Sequence, residues 1–532
     1  MTNSQHQDAL LHSGSVLKSA SLPLASPLHS NAQQRSSRSA QSRRKASQPN
    51  VPGIALSPFS DSGVLGDGKT TAATVNLSGQ TSGKTTVKLR GFGTAIADDN
   101  GKFQFNNIPL ALGKNDFKVV AGRANGKSVF LAQVKRVGAD RVDPVIEWNA
   151  NALRTIVTAN SPPPVTARNL AIVHAAMFDA VNSIEGGYAP YKFKLVAPVG
   201  ASPDAAAVSA AYEVLVKLYP KQKATLDTYL SNSLAKITDG QSETDGLAIG
   251  QAIATSLIAL RSTDGAGKTV TYTPETTPGK WRPTAPDFKN AALPQWKDLT
   301  CFTMISSSQF RPTAPPALTS RKYAKDVNQV EVLGRRNSRK RTADQTEIAE
   351  FWADGAGTYT PPGHWNQLTE GIVANQGDSL LNNARTFALL NISLADAGVT
   401  AWDAKYTYST WRPIDAVRNA DTDGNRATKA QKGWQPLLIT PNHPDYTSGH
   451  STFSGAAAKV LTQIYGKKFS FTTNSVGLPG VERSYKSFNA AADEAGMSRI
   501  YGGIHTMSAN EAGLSSGKAL GRYVTENFLT QA

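Results

Sequence analysis

Residues 443–465 read HPDYTSGHSTFSGAAAKVLTQIY. From Ser451 onward the stretch is a good helix former, which predicts a helix over 448–465 with Ser448-Gly449 at its N-terminus. The first amides of a helix have no acceptor within it, and the dipole is positive at that end. An oxyanion is therefore favoured there, and glycine lets the backbone approach it closely. Ser448 suits two roles, a hydroxyl donor to such an anion or a plain N-cap.

Cations lie on both sides of this segment. Upstream, Trp402-Asp-Ala-Lys405 runs into Tyr-Thr-Tyr-Ser-Thr-Trp and then Arg412-Pro413. A spacing of seven predicts Lys405 and Arg412 on one face of a helix that Pro413 ends or bends. Two such cations repel unless an anion sits between them; the plainer reading is a pair of solvated surface charges. Downstream comes Ser498-Arg499-Ile-Tyr-Gly502-Gly503-Ile-His505, whose double glycine breaks the helix and frees Arg499 and His505 to converge. Each also has a bland reading, Arg499 in an ion pair and His505 as a bonded core histidine.

Around these motifs the chain reads as three regions. Residues 1–55 form a Ser/Gln-rich basic tail, expected to be disordered, with six Lys/Arg against Asp8. Residues 56–140 show short alternating runs at Val75-Leu77, Val87-Leu89, Phe103-Phe105, Phe117-Val119 and Val129-Leu131. Asn100-Gly101 and Asn125-Gly126 carry hairpin signals, so a small β-sandwich is expected, similar to bacterial immunoglobulin-like modules. Residues 148–532 read as one large all-α domain, with helices expected at 151–159, 165–184, 205–218, 241–261, 379–411, 448–465, 487–500 and 508–528. Thr342-Ala-Asp-Gln345 is a capping box ahead of another, and 265–318 is a proline-rich connection.

The net charge of +16 invites a nucleic-acid reading, but its distribution argues against one. The tail holds +5 and residues 321–341 another +6, leaving +5, and neither tract interleaves aromatics suited to base stacking. A single cysteine, Cys301, excludes intramolecular disulfides and Cys-based zinc sites. No uninterrupted apolar run is long enough to span a bilayer, and no clear secretory signal opens the chain, so a soluble protein is expected with its compartment open and export compatible with the β-module.

Together, Lys405 to Arg412-Pro413, Thr447-Ser448-Gly449-His450 and Ser498-Arg499 to His505 resemble the vanadium-dependent haloperoxidase/type 2 phosphatidic acid phosphatase superfamily, whose signature is K-x6-RP, PSGH and SR-x5-H. Nine fixed residues with two variable gaps arise by chance at about one in a million, taking each residue type at roughly 5% usage. The resemblance implies a helical bundle binding vanadate, with phosphate able to substitute in the apo site. It implies that Lys405, Arg412, Ser448, Gly449 and Arg499 hold the oxyanion, that His505 bonds vanadium, and that His450 is the acid–base. Hydrogen peroxide and a halide are the implied substrates, a hypohalous-acid equivalent the product, with a small organic acceptor and a homo-oligomer as further expectations.

Two other readings remain: a soluble phosphomonoesterase with a phosphohistidine on His505, and an inactive oxyanion-binding descendant. The size of the helical region and Trp402 favour the haloperoxidase side, as do the segments Phe351-Trp352-Ala-Asp354-Gly and Pro361-Pro-Gly-His364-Trp365, with His364 expected in a structural loop. His443 stands where bromide-oxidising members carry histidine and the chloride-oxidising fungal type phenylalanine, which points to bromide or iodide over chloride. Thr447 replaces the usual proline. Ala509 replaces an aspartate that many members place four residues after the last histidine, leaving a backbone carbonyl as the expected partner of His505's second ring nitrogen.

Overall fold

The computed structural model describes residues 53–123, 126–138 and 143–532. The basic tail and residues 124–125 of the second Asn-Gly turn lie outside that range.

Eight strands come first: β1 (Gly53–Leu56), β2 (Lys69–Thr70), β3 (Thr74–Gln80), β4 (Thr86–Leu89), β5 (Gly93–Ile96), β6 (Lys102–Pro109), β7 (Gly113–Arg123) and β8 (Gly126–Arg136). All five alternating runs lie in strands, and four bury their apolar residues in one core that includes Leu77, Val87, Leu89, Phe105 and Val119; in the fifth, Val129 and Leu131 face outward and Phe130 packs against that core. The strands form two sheets, β1-β3-β6 and β2-β8-β7-β4-β5. Asn100-Gly101 does not close a hairpin, because β5 and β6 belong to different sheets and the turn carries the chain between them.

Helices follow: α1 (Pro144–Ala159), α2 (Pro163–Glu185), α3 (Pro203–Leu218), α4 (Lys223–Leu234), α5 (Gln241–Arg261), α6 (Arg321–Leu333), α7 (Ala343–Phe351), α8 (Thr360–Gln376), α9 (Leu380–Tyr408), α10 (Pro413–Arg418) and α11 (Gly449–Tyr465). A short antiparallel hairpin, β9 (Phe471–Asn474) with β10 (Glu482–Tyr485), interrupts the helical series before α12 (Phe488–Tyr501) and α13 (Met507–Asn527). The capping box is present at Thr342. Helices α4, α8 and α10 and the β9–β10 hairpin carry too little regular apolar pattern to stand out in the sequence, whereas α6 has a regular buried face (Tyr323, Val327, Val330) hidden within the basic 321–341 tract. Among the described residues no helix is long and apolar enough to cross a membrane.

Helix α9 is buried along nearly its whole length and forms the axis of the bundle. Beside it α11 and α13 approach backbone to backbone. A Cβ on Gly517 would lie 2.1 Å from the Thr452 carbonyl oxygen, and one on Gly455 2.5 Å from that of Leu514, so only glycine permits this spacing. The proline-rich connection lies against α9, held by the buried Asp396 carboxylate, which accepts the amides of Phe302, Thr303 and Met304. Part of the 321–341 charge is likewise structural: Arg341 donates to the carbonyls of Leu333 and Arg335.

The strands are fastened to the helices by polar bonds. Leu65 sits in the helical core, and its amide donates to the Glu370 carboxylate at 3.0 Å. Arg154 of α1 donates to the carbonyls of Pro58 and Asp61. Burial pushes the Glu370 carboxyl up to about 8, against the pull of its bonds from Leu65 and Asn149. A carboxyl whose folded pKa is raised contributes stability that is complete below its unfolded pKa and is lost as pH rises through the folded value, at about 1.4 kcal/mol per pH unit. Glu370→Gln cannot ionise, so denaturation midpoints at pH 5 and pH 9 should lie closer together in this variant than in the wild type. Equal separations would mean that Glu370 is already ionised in the folded chain.

Candidate active site

The site forms where the C-terminal end of α9, the 443–448 loop, the N-terminus of α11 and the α12–α13 turn meet. Helix α9 stops at Tyr408 because Ser409 adopts a left-handed conformation (φ 50°). Lys405 and Arg412 therefore do not share a helix face as their spacing predicts; Arg412 is the N-cap position of α10. They converge through the loop instead, and both are fully buried rather than solvated.

Lys405 donates from Nζ to the carbonyls of Pro444 (2.8 Å), Asp445 (3.2 Å) and Thr447 (2.5 Å), which engages all three ammonium protons. Arg412 donates from Nε to the His443 carbonyl (2.7 Å) and from its terminal nitrogens to Ile504 O (2.7 Å), His505 Nε2 (3.1 Å) and His443 Nδ1 (3.0 Å). Arg499 donates to His450 Nε2 at 3.2 Å and to the Trp352 carbonyl at 2.5 Å, with Ser498 Oγ on its Nε. Ser448 caps α11, accepting the Ser451 amide, and its own amide donates to Ala509 O, tying the loop to α13. A methyl on Gly449 would meet the Trp402 ring at 3.5 Å, an ordinary contact, so packing alone does not demand glycine there.

The α12–α13 turn behaves as the double glycine predicts. Gly503 has φ +75° and passes so close to Gly334 that a Cβ would lie 2.3 Å from its carbonyl oxygen. His505 thus leaves helical phase and turns inward. Its Nδ1 is 2.6 Å from Asp445 Oδ1, and Thr506 Oγ1 donates to Asp445 Oδ2 at 2.7 Å. The partner expected to be a backbone carbonyl is a carboxylate from the 443–448 loop. Asp445 lies inside the quoted motif, three residues before Ser448, and this acidic residue was the available signal.

The carbonyls of Trp352 and Ala353, with that of Ala349 in α7, buttress Arg499. His364 lies on α8 rather than in a loop, stacked on Trp352, its Nδ1 on Asp354 and its Nε2 on the Asn474 carbonyl. With both nitrogens engaged, it serves the fold. His443 packs against the Trp402 ring with centroids 4.9 Å apart.

Burial dominates the electrostatics. It lowers Arg412 and Arg499 to about 10, and together with the neighbouring Arg412 it holds Lys405 below the usual lysine range. Burial, reinforced by those cations, holds His443, His450 and His505 well below the ordinary imidazole value, so all three are neutral. Three buried cations thus have one carboxylate within ion-pair distance, Asp445, 3.9 Å from Arg412, and Asp354 acts on Arg499 from farther off. A cluster of that composition has a charge deficit that a tetrahedral oxyanion such as vanadate or phosphate would fill. The residues fit the group: cationic donors, an α11 N-terminus, and an imidazole whose Nδ1 is committed to Asp445.

Fold and site together define a helical bundle around a buried cationic cluster, and the chain is similar in sequence and structure to vanadium haloperoxidases. The family described as the VCPO second helical-bundle domain matches residues 385–531, which contain every motif residue of the site. A vanadium chloroperoxidase from Curvularia inaequalis is 27% identical over 426 residues, covering 63% of this chain and 69% of that one. The crystal structure of the first bacterial vanadium-dependent iodoperoxidase superposes with a TM-score of 0.64 at 28% identity, over 73% of this chain and 97% of that one. A holo-type bacterial vanadium-dependent chloroperoxidase shares the fold at 17% identity, with a TM-score of 0.56 over 69% of this chain and 91% of that one.

Proposed function

We propose that the chain is a vanadate-dependent haloperoxidase that oxidises bromide or iodide with hydrogen peroxide to a hypohalous-acid equivalent. The observation that carries the reading is the convergence of Lys405, Arg412 and Arg499 around a neutral His505 whose Nδ1 is held by Asp445. The haloperoxidase relatives support it over a phosphomonoesterase. Vanadate, when bound, supplies a Lewis-acidic vanadium(V) centre that activates hydrogen peroxide toward halide without changing oxidation state.

The chain's own groups divide the remaining work. His505, with its Nδ1 proton donated to Asp445, keeps a lone pair on Nε2 for vanadium. Arg412, Arg499, the Ser448 hydroxyl and the Gly449 amide at the α11 N-terminus spread positive potential over the oxyanion oxygens, and Lys405 adds its charge from behind the loop. His450 receives the Arg499 donor on Nε2, so that nitrogen is unprotonated, and once Arg499 turns to the oxyanion its lone pair would be free to take a proton from hydrogen peroxide. His443 lies between Arg412 and Trp402 and sets the halide preference by adding an imidazole to the pocket. Phosphate occupies the same cradle when vanadate is lacking. The strand region is an immunoglobulin-like module carried ahead of the catalytic domain.

The test uses purified apoprotein given orthovanadate, hydrogen peroxide and, in separate arms, iodide, bromide or chloride, with halogenation of a phenolic dye followed and p-nitrophenyl phosphate hydrolysis run in parallel. Vanadate-dependent turnover with iodide and bromide exceeding chloride is expected. Rapid ester cleavage without halogenation would replace this reading with the phosphatase, and silence in every arm would favour an inactive descendant.

A further inference from the structure

Asp445 has no role in the motif comparison, yet it accepts from two consecutive residues of the α12–α13 turn. His505 Nδ1 lies on Oδ1 at 2.6 Å and Thr506 Oγ1 on Oδ2 at 2.7 Å, with the carboxylate 4% exposed. Its backbone carbonyl accepts Lys405 Nζ, and its amide donates to Thr410 O, so the side chain is fixed from behind. Thr506 in turn caps α13, accepting the Ala509 amide. The carboxylate therefore has no freedom to leave the imidazole.

We infer that Asp445 is the positioning residue that sets the His505 tautomer. It supplies from the loop before α11 the carboxylate that Ala509 cannot supply from α13. Oδ2 already accepts the Thr506 hydroxyl and Oδ1 faces Nδ1, while Nε2 faces a guanidinium that can only donate, so the imidazole proton sits on Nδ1 and the lone pair on Nε2. Arg412 reports the same arrangement from the other side, since its guanidinium can only donate and it lies 3.1 Å from Nε2. The eight residues from His443 to His450 thus carry one imidazole near the halide, the carboxylate that orients the vanadium-binding imidazole, the helix cap and the acid–base imidazole. This assignment rests on the haloperoxidase reading for its consequence in metal binding, but not for the tautomer itself.

The two parts are tested separately. Long-range proton–nitrogen NMR on the ¹⁵N-histidine-labelled apoprotein should find His505 protonated at Nδ1 in the wild type; an Nε2-protonated ring would overturn the inference whatever the enzyme's activity. In Asp445→Asn the amide NH2 can donate to Nδ1, moving the proton to Nε2 and removing the lone pair. Calorimetric titration of the apoprotein should then show orthovanadate affinity falling by about 10- to 100-fold. Inorganic phosphate, held by charge and hydrogen bonds alone, should change only a few-fold.

Equal losses for both anions would reduce Asp445 to a general structural part, and no loss for either would remove it from the site. Asp445→Glu keeps a carboxylate and should retain more vanadate affinity than Asp445→Asn; the reverse order would also overturn the inference. A wild-type protein that binds vanadate no better than phosphate would count against the haloperoxidase reading, while the tautomer measurement would still decide the role of Asp445.

Discussion

His505→Ala is expected to abolish vanadate-dependent halogenation, lowering it by more than about 100-fold, beyond what loss of a supporting partner costs at a metal site. The imidazole is 2% exposed and lies against Asp445 and Arg412, so no other side chain can take its place without rebuilding the turn after Gly503. The fold should survive. Removing a neutral buried ring leaves a cavity, but it also relieves Arg412 of a competing acceptor. Apoprotein phosphate binding, which depends on the cations, should therefore persist within about tenfold. Direct titration with orthovanadate, alongside the halogenation assay, checks both halves. Vanadate-dependent turnover at the wild-type level would place the metal on another residue.

Lys405→Met should have the next largest effect, and it discriminates between two ways a buried lysine can act. A lysine that served only the oxyanion would burden the ligand-free protein, because its charge is desolvated and repelled by Arg412. Methionine would then raise the melting temperature. Here the ammonium is instead the shared donor for three carbonyls of the 444–447 segment. Losing it leaves those buried acceptors unpaired, and the net cost is expected at about 1–3 kcal/mol. Because the same segment carries Asp445 and joins His443 to the Ser448 cap of α11, vanadate affinity should fall in parallel, by about 10- to 100-fold. Thermal unfolding of the apoprotein and orthovanadate titration together give the answer, and a stabilised variant with weakened binding would show Lys405 to be an anion ligand alone.

The residues that were legible in the sequence are those whose chemistry is fixed by type. Lys405, Arg412, Ser448, Gly449, His450, Arg499, His505 and His443 all gather at one site, and Gly502-Gly503 breaks the helix as their composition predicts. What the sequence concealed is how they arrive there. The spacing of Lys405 and Arg412 fits a helix face, but the left-handed Ser409 ends the helix between them, a choice made by tertiary contacts rather than by propensity. The carbonyls of Ala349 and Trp352 that receive Arg499 have no side-chain signature at all, since any residue carries a carbonyl. Asp445 was written inside the motif, but its partner lies sixty residues away, and only the fold brings the two together. Helices that pack by a few residues, such as α10, and strands as short as β9 likewise fall below what a periodic pattern can register.

The bond between the Leu65 amide and Glu370 bears on the word module. A part that could be exchanged freely would meet its host across a wet, replaceable surface. Here a leucine from the strand region is built into the helical core, a guanidinium of α1 donates to two strand-side carbonyls, and a buried carboxyl of α8 accepts a strand-side amide. Cutting the chain between 137 and 144 would open the interior of the bundle rather than trim its exterior. The helical region completes its interior with groups from the strand region, so the two should rise and fall in stability together.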